Sequence, residues 1–133
     1  MKPNQEEILK MNRTIAEGLG MTFVQEHNYW VLPEAIREAF GYQSKGGLYW
    51  WFNENWGQLA AAYKVIIKEC QDLKYKAGNN WYLTLRNAWI SADQQRIFEW
   101  MYQFCTMKLR APKDATCIWG LPFQYPKFIP IEY

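Results

Sequence analysis

Ile8, Met11, Ile15 and Leu19 recur at helical spacing behind Asn4 and Glu7, which are placed as a capping box. Gly18 and Gly20 supply a stop, so a first helix is expected over about residues 5–18. The pattern then changes. Thr22-Phe23-Val24 and Tyr29-Trp30-Val31-Leu32 are rich in β-branched and aromatic residues, with His27-Asn28 between them. Two short strands in a hairpin follow from that. Pro33 opens a short helix to Phe40, Gly41 closes it, and Gln43 to Gly47 reads as a loop.

The longest apolar face comes next. Trp56, Leu59, Ala60, Tyr63, Ile66, Ile67, Cys70 and Leu73 mark one side of a helix, and Asn55 with Gln58 forms its cap. It is expected to end near Lys76, with Gly78-Asn79-Asn80 as a turn. Trp81, Leu83 and Leu85 alternate with Tyr82, Thr84 and Arg86, which predicts a half-buried strand that could run on to Ile90. Ser91 and Gln94 suggest a further capping box before a helix from Ala92 to about Lys108. Pro112, Pro122, Pro126 and Pro130 then interrupt an aromatic segment, which excludes regular helix there.

This order predicts an α/β (α+β) chain: a small α/β/α sandwich whose short, mostly antiparallel sheet is covered by two long helices. Residues 1–110 are expected to form a single domain. Residues 111–133 are expected to be an extended tail packed on that domain or on a partner. A length of 133 residues suits one core. At 18% aromatic and 50% hydrophobic, the composition excludes intrinsic disorder. Net charge is only +2, against a strongly basic nucleic-acid binder. Cys70, Cys105 and Cys117 form no C-x-x-C and their number is odd, which suits reduced thiols in the cytoplasm. Neither a secretory signal nor a run of about 20 apolar residues is visible, so no membrane contact is expected.

Three stretches carry a family resemblance. They are Ile15-Ala16-Glu17-Gly18-Leu19-Gly20-Met21, then Asn53-Glu54-Asn55-Trp56 leading through Leu59 into Tyr63–Glu69, and finally Ala92 to Met101. Together they resemble the phage ABA sandwich family over roughly residues 12–108. The resemblance implies an α/β/α sandwich and a phage or prophage origin, hence the host cell cytoplasm. It implies no biochemical activity and no catalytic residues. Tyr42 to Tyr49 looks like an insertion, and the chain from Leu109 lies outside the pattern.

Candidate chemistry is thin. Only His27 could serve a cysteine nucleophile, and it lies in an expected turn while Cys70 and Cys105 fall on core faces. Glu26, Glu54 and Glu99 are flanked by aromatics but not paired with other acids. Gly46-Gly47 has no phosphate-loop spacing. Neither catalytic residues, nor a metal site, nor a cofactor is expected.

The run Tyr49-Trp50-Trp51-Phe52-Asn53-Glu54-Asn55-Trp56 is the unusual feature. Leu48 to Phe52 cannot all face one core. The run is core packing around a helix start, an aromatic hot spot for a protein, or a stacking platform. Lys64 and Lys68 lie four apart on one helix face and could meet phosphates. The expectation is a non-enzymatic protein acting through a protein partner or self-association. The alternative is a single-stranded nucleic-acid-binding accessory protein. In either case Tyr49, Trp50, Trp51, Trp56, Lys64 and Lys68 are the candidate binding residues.

Overall fold

The structure, a computed structural model, describes residues 4–72 and 78–110. The chain runs α1 (Gln5–Gly18), β1 (Thr22–Val24), β2 (Tyr29–Val31) and α2 (Glu34–Arg37), which continues into a 3-10 turn (Glu38–Phe40). It goes on through β3 (Lys45–Gly46), α3 (Trp56–Asp72), α4 (Gly78–Ile90) and α5 (Gln94–Arg110). This is a small α+β fold with an antiparallel sheet in the order β1-β2-β3.

The first elements form where their local signals put them. Asn4 accepts the Glu7 N–H at 2.8 Å, and Glu6 and Glu7 sit where the helix dipole favours acids. The hairpin pairs Thr22 with Val31 and Val24 with Tyr29, and Asn28 takes the left-handed backbone (φ 55°) that its turn requires. The expected loop after Gly41 holds an extra element. Lys45–Gly46 pairs with β2, and Leu32 donates to the Ser44 carbonyl at 3.0 Å. Two residues are too few to show a period.

The expected strand at residues 81–86 is instead part of α4, and Gly78-Asn79-Asn80 is its first turn rather than a loop. Trp81, Leu85 and Ala88 are buried at positions i, i+4 and i+7. Trp81 packs edge-on against Trp100 and Phe104 of α5, at centroid distances of 6.5 and 5.4 Å. Leu83, which a strand would bury beside Trp81 and Leu85, is 47% exposed. Leu83→Glu therefore changes stability by no more than about 0.5 kcal/mol. Leu85→Glu buries an unpaired charge and costs at least about 3 kcal/mol. Thermal melts followed by circular dichroism compare the two; equal damage would restore the strand.

The helix after α4 also starts differently from expectation. Ser91 closes α4 by donating to the Ala88 carbonyl at 2.6 Å, and Ala92 turns through φ 56°. Asp93, not Ser91, then caps α5 by accepting the Arg96 N–H at 3.2 Å. Among the described residues there are four long helices where two are expected: α1 with 14 residues, α3 with 17, α4 with 13 and α5 with 17.

Helix packing carries the core. α1 lies on α5, α5 on α4 and α4 on α3, while β2 contributes Trp30. Lys108 of α5 ties two of these helices by donating to the Gly18 carbonyl at 2.8 Å and pairing with Glu69 of α3 at 2.9 Å. A cation at the C-terminal end of α1 is favourable for the helix dipole. The expected helix end near Lys76 and the expected tail at 111–133 lie outside the described residues. Among the described residues no helix is long and apolar enough to cross a membrane.

Candidate interaction site

Asn12 lies on the buried side of α1, between Ile8 and Ile15, and decides how the aromatic run is held. Its Nδ2 donates to the Ile8 carbonyl and to Asn53 Oδ1, each at 2.9 Å. Its Oδ1 accepts the Phe52 N–H at 2.6 Å. Gln58 Oε1 accepts the Trp51 N–H at 2.7 Å, and Asn55 caps α3 by accepting the Gln58 N–H at 3.0 Å. Gln58 thus reaches back past the helix cap to the aromatic run, instead of closing a reciprocal box with Asn55.

With its backbone fixed in this way, the run alternates. Trp50 and Phe52 turn inward and stack at 5.4 Å with planes 6° apart, and Phe40 meets Trp50 edge-on at 5.5 Å. Trp50 is only 5% exposed, so this candidate binding residue belongs to the core. Tyr49, 52% exposed, leans on the half-buried Trp51 at 5.8 Å.

Trp56, 46% exposed, belongs to a separate aromatic row. It meets Trp89 edge-on at 6.2 Å, and Trp89 stacks on Tyr63 at 4.3 Å. Burial, with the neighbouring Tyr82, holds the Tyr63 hydroxyl above its ordinary pKa, partly offset by Arg86. Lys64 and Lys68 are exposed. At 100° per residue they lie about 80° and 120° around α3 from Trp56. The six sequence candidates therefore do not converge on one site.

A cleft of about 470 Å³ does bring several functional groups together. α1 supplies one wall through Glu6, Leu9, Lys10 and Arg13, at i, i+3, i+4 and i+7. The hairpin supplies Phe23, Gln25, Asn28 and Trp30, and the aromatic run adds Leu48, Tyr49 and Trp50. Phe23 and Trp30 are cross-strand partners with rings 5.2 Å apart. The Arg13 guanidinium sits 5.7 and 5.9 Å from those two rings, and Glu17 holds its Nε at 2.9 Å. Of this cleft, only Tyr49 and Trp50 were legible as candidates. Asn12 left a signal, a polar residue on an apolar helix face; Lys10 and Arg13, polar residues of the same helix, leave none.

Cys117 lies outside the described residues, and the two described thiols do not point to nucleophilic chemistry. Cys70 and Cys105 are both buried. Burial pushes the Cys70 thiol far up, with Glu69 adding to it, and pushes Cys105 up to about 12. A thiol held protonated is a poor nucleophile. His27 is exposed at the hairpin turn, stacked on Tyr29 at 5.9 Å. Glu26 and Glu54 are exposed, while Glu99 is half-buried and accepts from Gln95 at 3.0 Å. Among the described residues no three His, Cys, Asp or Glu side chains gather to hold a metal ion. Compared with known proteins, the chain matches no family model, no curated protein and no solved structure.

Proposed function

We propose that this is a non-enzymatic protein that acts by holding a protein partner in the cleft between α1, the hairpin and residues 48–50. The observation that carries this reading is an aromatic cleft whose rim leaves Leu48 and Tyr49 41% and 52% exposed. Large apolar and aromatic groups around a concave site are what protein hot spots are made of. The charges agree. Glu6, Lys10, Arg13 and Glu17 interleave acids and bases along one side of α1, and with Glu7 the charged residues of the helix sum to −1. A polyanion would meet two carboxylates there, whereas a protein surface can match alternating charge. The single-stranded nucleic-acid reading has less support, because its platform included Trp50 and its lysines lie away from Trp56.

A phage or prophage origin, with work in the host cell cytoplasm, belongs to the same proposal and rests on the resemblance of residues 12–108. The layered sandwich has the least support, since the helices pack chiefly on one another.

A photo-crosslinking amino acid at position 49, in cells that naturally express the chain, tests the reading. One discrete protein is expected, captured from position 49 and lost when Leu48→Asp is added. No Leu48-dependent protein adduct, together with salt-sensitive quenching of tryptophan emission by oligonucleotides, would replace this reading with the nucleic-acid one.

A further inference from the structure

The aromatic row led by Trp56 lines a groove between α3 and α4, away from the cleft. Trp56, Tyr63 and Ile67 recur at i, i+7 and i+11 along α3. Tyr82 and Trp89, at i and i+7, stand on the flank of α4 that meets them. Trp56 is 46% exposed, and the other four are half-buried. Leu83 lies about 100° further round α4 than Tyr82, outside the groove. The end of α5 decides which part of the chain can reach these rings. Trp81, in the first turn of α4, meets Phe104, and Lys108 pairs with Glu69 near the end of α3. The chain therefore leaves α5 at Arg110 beside one end of the groove. From Glu69 to Trp56 the groove runs about 20 Å, at about 1.5 Å per helical residue. Extended chain from Arg110 to Ile118 covers about 25 Å, at about 3.1 Å per residue. Residues 115–126 carry no charged side chain and hold Ile118, Trp119, Leu121 and Phe123 with Pro122 and Pro126.

We propose that the groove between α3 and α4 is the docking site of the chain's own segment 118–126. Proline and its apolar neighbours packing on aromatic rings is a recurring mode of peptide recognition. Trp56, Tyr63 and Trp89 supply the rings, and Leu121, Pro122 and Phe123 supply the ligand. An uncharged segment suits walls that are aromatic rather than charged. Attachment at Arg110 also gives the segment an effective concentration on the order of millimolar, which a free partner of the same chemistry has to exceed. The site is separate from the cleft, so this inference does not rest on the protein-contact reading.

The test uses the full chain with a nitroxide on Cys117, since Cys70 and Cys105 are buried. The indole N–H resonances are the readout. Trp56 and Trp89 are expected to lose their signals, while Trp30, on the cleft side, keeps its own. Leu121→Asp and, separately, Phe123→Asp are expected to bring both signals back, with an unshifted Trp30 signal showing that the fold is intact. Leu83→Glu, outside the groove, is expected to leave the loss unchanged. Three results overturn the proposal: signals that Trp56 and Trp89 keep in the parent chain, a loss that survives both Leu121→Asp and Phe123→Asp, or a loss at Trp30 instead. A fourth is a loss in isotope-enriched chain without nitroxide when it is mixed with nitroxide-carrying chain, which would mean that the segment docks on a second copy. The photo-crosslink from position 49 tests the cleft alone, so either reading can fail without the other.

Discussion

Asn12→Leu lowers the unfolding free energy by about 3–5 kcal/mol, a large share of what a domain of this size has. Leucine has nearly the same shape and removes both ends of the amide. Three hydrogen bonds vanish, to Ile8, Asn53 and Phe52. The Phe52 N–H, bonded in a buried setting, is then left without an acceptor, and that orphan costs more than an average hydrogen bond contributes. Asn12→Asp keeps the acceptor for Phe52 but loses both donors and buries a charge, so it does not rescue. Urea titration followed by tryptophan emission measures the loss. Near-ultraviolet circular dichroism reports whether the Trp50–Phe52 stack survives. A loss below about 1 kcal/mol would show that the aromatic run holds its place without Asn12.

Gly18→Ala is expected to destabilise by about 1–2 kcal/mol, although alanine is the better helix former by about 1 kcal/mol. A Cβ at position 18 would lie 2.6 Å from both Cβ and Sγ of Cys105 and 3.2 Å from its Cα. Two helices in contact can relieve that only by moving apart, which loosens the α1–α5 packing and strains the Lys108 bond to the Gly18 carbonyl. The partner variant separates this mechanism from others. Cys105→Ala removes Sγ but leaves Cβ in the way, so it does not restore Gly18→Ala. Cys105→Gly removes both atoms and restores part of the loss, less the cost of a glycine inside α5. Thermal denaturation of the single and double variants checks the order. A Gly18→Ala chain as stable as the parent would mean that the helices separate there at no cost.

Why some elements were legible and others not follows from the range of the forces involved. The first helix, the hairpin and the start of α3 were readable because caps and turn residues act over two to four positions. Asn4 and Glu7, Asn28, Gly41, and Asn55 with Gln58 each work within one turn of chain. Residues 81–86 were misread because Trp81 and Leu85, at i and i+4, satisfy a strand of period two and a helix equally well. Leu83 decides between them, and its burial depends on what lies opposite. Trp100 and Phe104 of α5 receive Trp81 edge-on and leave Leu83 to solvent. The cap of α5 moved from Ser91 to Asp93 for a related reason: Ser91 is spent on closing α4.

The candidate site shows the same division more sharply. The composition of residues 48–56 already required that some aromatics leave the core, and they do. Which ones leave was set by Asn12, forty positions earlier, whose amide holds the Phe52 backbone so that Trp50 and Phe52 turn in and Tyr49 turns out. The cleft joins three stretches of chain, and no single stretch shows a pocket. Local sequence alone determined α1, the hairpin, the short α2 and the start of α3, because capping and periodicity are satisfied within a turn or two. Tertiary structure alone decided that α4 is a helix, that Trp50 is core, and that Arg13 meets Phe23 and Trp30 at an aromatic cleft. Those outcomes depend on contacts between distant residues, which the local pattern does not contain.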